Sequence, residues 1–119
     1  MLYASETLAL ATLETLVHYD ESVGQHRRLV VCQASIPADV EVENAPASLF
    51  SGRWRAYPAP RRLAQFGDAW VAEARTAVLR VSSAVLPRES NLLLNPSHPD
   101  FARLQLRVLE DFRLDPRLL

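Results

Sequence analysis

The 119-residue sequence has no lysine, and all 13 of its cationic side chains are arginines. Against 14 acidic residues this gives a formal charge of −1. That balance supplies no electrostatic reason to bind nucleic acid, so direct nucleic-acid binding is not expected. Compositional bias of the source explains the missing lysine more simply than a dedicated anion site, although arginine does suit phosphate. Cys32 is the single cysteine. No intrachain disulfide can form, as expected of a protein in the reducing cytoplasm. The three glycines, Gly24, Gly52 and Gly67, are too scattered for a Walker or dinucleotide-binding loop. No apolar run approaches the ~20 residues that cross a bilayer. Met1-Leu2-Tyr3 passes directly into Ser5 and Glu6 without a charged leader region, so neither a membrane span nor a signal peptide is expected.

What is present suffices for a folded domain. The chain is 49% hydrophobic and 23% charged, the balance of an ordinary soluble protein, and its length predicts a single domain over residues 1–119. Ser5–His18 reads as a helix capped by Ser5, with Leu10, Leu13 and Val17 on one buried stripe. "LVVCQASI" (Leu29–Ile36), ended by Pro37, predicts a buried strand. Ala38–Tyr57 carries turn signals and reads as irregular. Arg61–Ala74 places Leu63, Phe66, Trp70 and Ala74 on one helical face, with Gly67 weakening the helix. Ala77–Ser83 and Asn91–Leu94 predict two further strands. "RLQLRVLEDF" alternates Leu104, Leu106 and Val108 against Gln105 and Arg107, the period of a strand with one wet face. The expected class is α/β or α+β.

Two places hold chemistry that a core does not require. At 100° per residue Glu14 falls beside Leu10 at the edge of the buried stripe, in a polar strip with Thr7 and His18. A partly desolvated carboxylate there suits acid/base or cation-stabilising work; the plainer reading is a boundary glutamate paired with an arginine. The second place is "VSSAVLPRESNLLLNPSHPDF" (Val81–Phe101), where a short apolar strand gives way to Ser, Asn, His and Asp stiffened by three prolines. Ser83, at a strand end, reads first as a turn or capping residue, and Asp100 as the cap of the turn in "HPD". A Ser83/His98/Asp100 hydrolase triad is possible in composition but lacks nucleophile-elbow glycines. His18, His98 and Asp100 have no metal-ligand spacing, so no metal is expected. Trp54, Tyr57 and Trp70 read as packing groups rather than stacking platforms.

Taken together, "YASETLALATLETLVH" (Tyr3–His18), "RLVVCQASIP" (Arg28–Pro37), "QFGDAWV" (Gln65–Val71), "LRVSSAVLPRESNLLLNPSHPDF" (Leu79–Phe101) and "FRLDPRL" (Phe112–Leu118) resemble the RES domain of bacterial toxin–antitoxin systems. The resemblance runs through essentially the whole chain in the family's order. It implies an ADP-ribosyltransferase-like mixed sheet with flanking helices. It also implies a toxin that binds and degrades NAD as its substrate, by hydrolysis or with inorganic phosphate as co-substrate, or that transfers ADP-ribose to a protein. Glu14 and Ser83 match the family's glutamate and serine as catalytic residues. Tyr3 matches an aromatic that lines the pocket, and His18 and Asn91 fall at recurrent motif positions as substrate-binding candidates. No further cofactor is implied. The implied partner is a helix-turn-helix (Xre-like) antitoxin, joined with the toxin in a hetero-oligomer. The family's arginine lies upstream of the motif that begins here at Tyr3, so the expectation is a domain short at its N-terminus. Arg28, Arg53 and Arg55 follow the glutamate and do not match that arginine. A fold-retaining remnant that only binds an antitoxin or a nucleotide is the alternative.

Overall fold

A computed structural model describes residues 1–18 and 28–118; Gly24 lies outside the described residues. The elements are β1 (Leu2–Ser5), α1 (Leu8–Val17), β2 (Leu29–Ser35), β3 (Val42–Asn44), α2 (Arg61–Glu73), β4 (Val78–Ser82), β5 (Ser90–Leu94) and β6 (Gln105–Phe112). Short 3-10 turns occupy Ala47–Phe50, Pro99–Arg103 and Pro116–Leu118. The class is α+β, as expected.

A mixed four-stranded sheet has the order β1-β5-β4-β3. β5 is antiparallel to both neighbours and β3 runs parallel to β4. The register sets Tyr3, Leu93 and Leu79 abreast on one face, with Ser5, Asn91 and Val81 abreast two residues along. Side chains alternate between faces, so Leu2, Leu94 and Val78 lie on the other. α2 covers the first face: Trp70 packs with Leu79 and Leu93, flanked by Phe66, Val71 and Val81. The Trp70 indole N–H donates to Thr76 Oγ1 (2.9 Å), whose hydroxyl donates in turn to the Val78 carbonyl (2.7 Å). This buried aromatic therefore brings its polar atom with a partner. On the opposite face Val78 and Leu94 meet Val40, Ala77 and Leu104, with Ala34, Ile36 and Phe101 around them. The sheet thus has a core on each side.

β2 and β6 pair antiparallel as a separate ribbon, with Leu109 left unpaired in a bulge where the register shifts between Val31 and Cys32. Here two expectations are corrected. β2 is half exposed rather than buried, and the dry face read for β6 is buried only at Leu104 (8% exposed), while Leu106 and Val108 are 49% and 62% exposed. Alternation specifies which residues share a face, but burial requires a layer against that face. Among the described residues, the ribbon joins the sheet's buried core at its Ala34–Leu104 end.

The start of the chain also differs from expectation. Residues 2–5 form β1, and the helix begins at Leu8 with Thr7, not Ser5, as its cap: Thr7 Oγ1 accepts from Leu10 N at 3.0 Å. Of the predicted stripe Leu10 is fully buried and Val17 is exposed. Residues 38–57 are less irregular than their turn signals suggest, since they contain β3 and a 3-10 turn. Tertiary pairing with β4 holds so short a strand in place. α2, β4 and β5 fall within a residue or two of their predicted spans. In "HPD" the roles are reversed: His98 Nδ1 accepts from Asp100 N (3.0 Å), so the histidine is the cap. Arg103 hydrogen-bonds Asp39 and, by that bond and its charge, holds the Asp39 carboxyl below its ordinary range.

Candidate functional site

The antiparallel β1–β5 pairing sets Ser5 opposite Asn91. Ser5 Oγ donates to Asn91 Oδ1 at 2.8 Å, which leaves the Asn91 amide nitrogen directed away from β1. That nitrogen donates to Glu14 Oε1, also at 2.8 Å. Glu14 reaches the strand because the start of α1 is pinned to the beginning of β5. Glu6 N donates to the Ser90 carbonyl (3.1 Å), Ser90 N donates to Glu6 Oε1 (2.8 Å), and the Thr7 hydroxyl donates to Glu89 (2.7 Å). Two helical turns beyond Thr7, Glu14 lies over Asn91, half-buried at the helix–sheet seam.

The second donor comes from the turn after β4. Ser83 is fully buried. Its hydroxyl donates to Glu14 Oε1 at 2.7 Å and accepts from Val85 N (3.1 Å) and Leu86 N (3.0 Å). Ser83 N donates to the Glu89 carbonyl and Glu89 N to the Leu86 carbonyl, so residues 83–89 form a loop closed on this one serine. The plain reading of Ser83 as a turn residue is met, and the same oxygen that organises the loop also bonds the Glu14 carboxylate. Two donors share Oε1, and among the described residues none reaches Oε2. The carboxylate is therefore fixed in orientation, with one oxygen bonded to none of the described residues, a form suited to stabilising a positive charge in a ligand.

Of the five residues singled out from sequence, the structure joins Glu14, Ser83 and Asn91 directly. Tyr3 lies on the same sheet face as Ser5 and Asn91, paired with Leu93, and is 74% exposed. His18 is the exposed C-terminal cap of α1, one turn beyond Glu14, and no described hydrogen bond links its ring to the cluster. Sequence reasoning missed Ser5, which it took for a helix cap. The signal was the alternation Tyr3/Ser5 ahead of the helix, legible only once residues 2–5 are read as a strand. The hydrolase triad does not form: the Ser83 proton points to Glu14, and His98 caps a separate turn. Nor does Arg28 approach the site, being paired with Asp111 on the ribbon at 2.6 Å.

An open cleft of about 420 Å³ lies at the end of β4, lined by Asn44, Phe50, Arg80, Val81, Ser82 and Ser90 among others. Ser82 and Ser90 immediately precede Ser83 and follow Glu89, so the cleft adjoins the same loop. Arg80 within it pairs with Glu6 at 3.3 Å.

Against known proteins, the sequence model of the RES domain matches residues 1–115. The chain is 38% identical to the Prs ADP-ribosylating toxin of Sphingobium sp., over all of this chain and 74% of that protein. It is 32% identical to Toxin Res of Yersinia enterocolitica, over 98% of this chain and 76% of that toxin. With Toxin Res of Pseudomonas putida it shares 31% identity over 99% of this chain and 79% of that toxin.

Proposed function

Because this chain belongs to the RES domain family, we propose that it is a toxin that cleaves the nicotinamide–ribose bond of NAD, with Glu14 as the residue that stabilises the transition state. The observation that carries the reading is the Glu14 carboxylate, held at Oε1 by Ser83 and Asn91, with no described residue bonded to Oε2. In the reaction the C1′–N bond breaks and its electron pair leaves with nicotinamide, which becomes neutral. The ribose is left as an oxocarbenium-like cation. A fixed anion beside C1′ stabilises that charge without reorganising as it develops. Water, inorganic phosphate or a protein side chain then adds at C1′ and loses a proton, giving ADP-ribose, its 1-phosphate or an ADP-ribosylated protein.

Ser83 and Asn91 serve in this scheme by holding the carboxylate. Tyr3, exposed on the same sheet face, offers a ring against which a substrate base packs, and His18 at the end of α1 contacts the substrate outside the reacting centre. A helix-turn-helix antitoxin that covers the site holds the toxin inactive in a hetero-oligomer, and the toxin acts in the cytoplasm, where its substrate is. No helix among the described residues is long and apolar enough to cross a membrane.

Glu14→Gln tests the reading, because the isostere keeps the shape and removes the charge. NAD is incubated with purified wild type and variant, and nicotinamide release is followed. The expected loss is ~10²-fold or more in kcat, corresponding to the ~3 kcal/mol that one such electrostatic contact contributes. A folded Glu14→Gln variant that releases nicotinamide as fast as wild type returns Glu14 to a structural role.

A further inference from the structure

The NAD reading leaves a requirement that Glu14, Ser83 and Asn91 do not meet. A dinucleotide carries a pyrophosphate, and its two negative charges call for a cation held in a fixed place. Arg88 lies within the loop that carries Ser83, exposed and with no side-chain partner among the described residues, and two further arginines stand beside it. Arg80, in the cleft, is paired with Glu6 at 3.3 Å and so partly neutralised. Arg55 differs. Its Nε donates to the Ala84 carbonyl at 2.8 Å, one residue beyond Ser83. No acidic side chain among the described residues pairs with it, and it is exposed.

We propose that Arg55 is a substrate-binding residue of this site and that its guanidinium receives the pyrophosphate of the bound dinucleotide. The inference rests on the NAD reading above. Arginine fits the role by geometry as well as charge. With Nε committed to a backbone carbonyl, the plane of the fork is set, and the two terminal nitrogens remain to bind an anion side by side. The carbonyl belongs to the 83–89 loop, whose Val85 and Leu86 amides are fastened to Ser83 Oγ. Arg55 is thus bonded to the turn that carries the carboxylate-binding serine. The segment that presents Arg55 is itself anchored: Trp54 meets Phe50 edge-on with ring centroids 5.0 Å apart, and Phe50 lines the neighbouring cleft. From sequence, Arg55 lies on the far side of the glutamate from the family's upstream arginine. Folding brings it to the serine.

The test is calorimetric titration of the full chain with ADP-ribose, which has the pyrophosphate but no bond to cleave. Wild type, Arg55→Gln, Arg55→Lys and Arg107→Gln are compared, the last removing an exposed charge on the β2–β6 ribbon. Nicotinamide release from nicotinamide riboside, which has the scissile bond and no phosphate, is measured in parallel. Arg55→Gln is expected to weaken ADP-ribose binding about tenfold or more, as loss of hydrogen bonds to a charged group does. Arg55→Lys should recover part of that loss, while Arg107→Gln and all rates with nicotinamide riboside stay unchanged. If wild type binds ADP-ribose and Arg55→Gln binds within twofold of it, the Arg55 proposal is overturned while the NAD reading stands. If wild type neither binds ADP-ribose nor releases nicotinamide from NAD, both fall together.

Discussion

Ser83 Oγ and Glu14 Oε1 lie 2.7 Å apart across 69 positions of sequence, and the same serine oxygen accepts the backbone amides of Val85 and Leu86. One hydroxyl therefore couples the fold of a loop to the orientation of a carboxylate on a distant helix. Substitutions here report on structure and chemistry together, and the two have to be separated by measurement.

Ser83→Ala deprives two amides of their acceptor and Glu14 of a donor in a buried position. Each unsatisfied buried group costs ~1–3 kcal/mol, so a loss of about 2 kcal/mol or more in urea unfolding is expected. Nicotinamide release by the folded fraction should fall as well. An unfolding midpoint equal to that of wild type would mean that the loop closes without this oxygen.

Asn91→Leu is close in size and removes the second donor to Glu14, leaving the Ser5 hydroxyl without its acceptor. Stability should fall by ~1–2 kcal/mol, the range for losing one partner of a half-buried hydrogen bond. Catalysis is expected to suffer more than binding: kcat falls with little change in the affinity for ADP-ribose. Ser5→Ala, one bond further from the carboxylate, should show the same pattern in weaker form. Equal losses of kcat and ADP-ribose affinity would instead place Asn91 against the substrate itself.

Away from the site, α2 ends at Ala74 in the left-handed region, with φ 48° and ψ 45°, where its N–H donates to the Val71 carbonyl. A residue with a Cβ is strained there, and glycine is the usual occupant of this helix terminus. Ala74→Gly is expected to raise stability by ~0.5–1 kcal/mol, the relief of strain exceeding glycine's greater entropy when unfolded. A lower thermal midpoint for Ala74→Gly would show that the Ala74 methyl packs to greater advantage than the strain costs.

Local pattern alone determined much of this protein. The stripe of Phe66 and Trp70 gave α2, the apolar runs at Val78–Ser82 and Ser90–Leu94 gave two central strands, and helical period placed Glu14 at the margin of a buried face. These are short-range properties, written in the spacing of neighbouring residues. Where burial or partnership depends on another layer, the same pattern is silent. It could not tell that β6 would leave Leu106 and Val108 exposed, because among the described residues the ribbon joins the sheet's core at Leu104 and not at these two. It could not separate a strand at residues 2–5 from the first turn of a helix, because β1 is stabilised by its pairing with β5. Above all, nothing in their own segments says that Ser5, Glu14, Ser83 and Asn91 meet. They become one hydrogen-bonded cluster only when antiparallel register sets Ser5 against Asn91 and the loop after β4 turns Ser83 toward α1. That choice belongs to tertiary structure, since hydrogen bonds between residues far apart in sequence form only after packing has brought their backbones together.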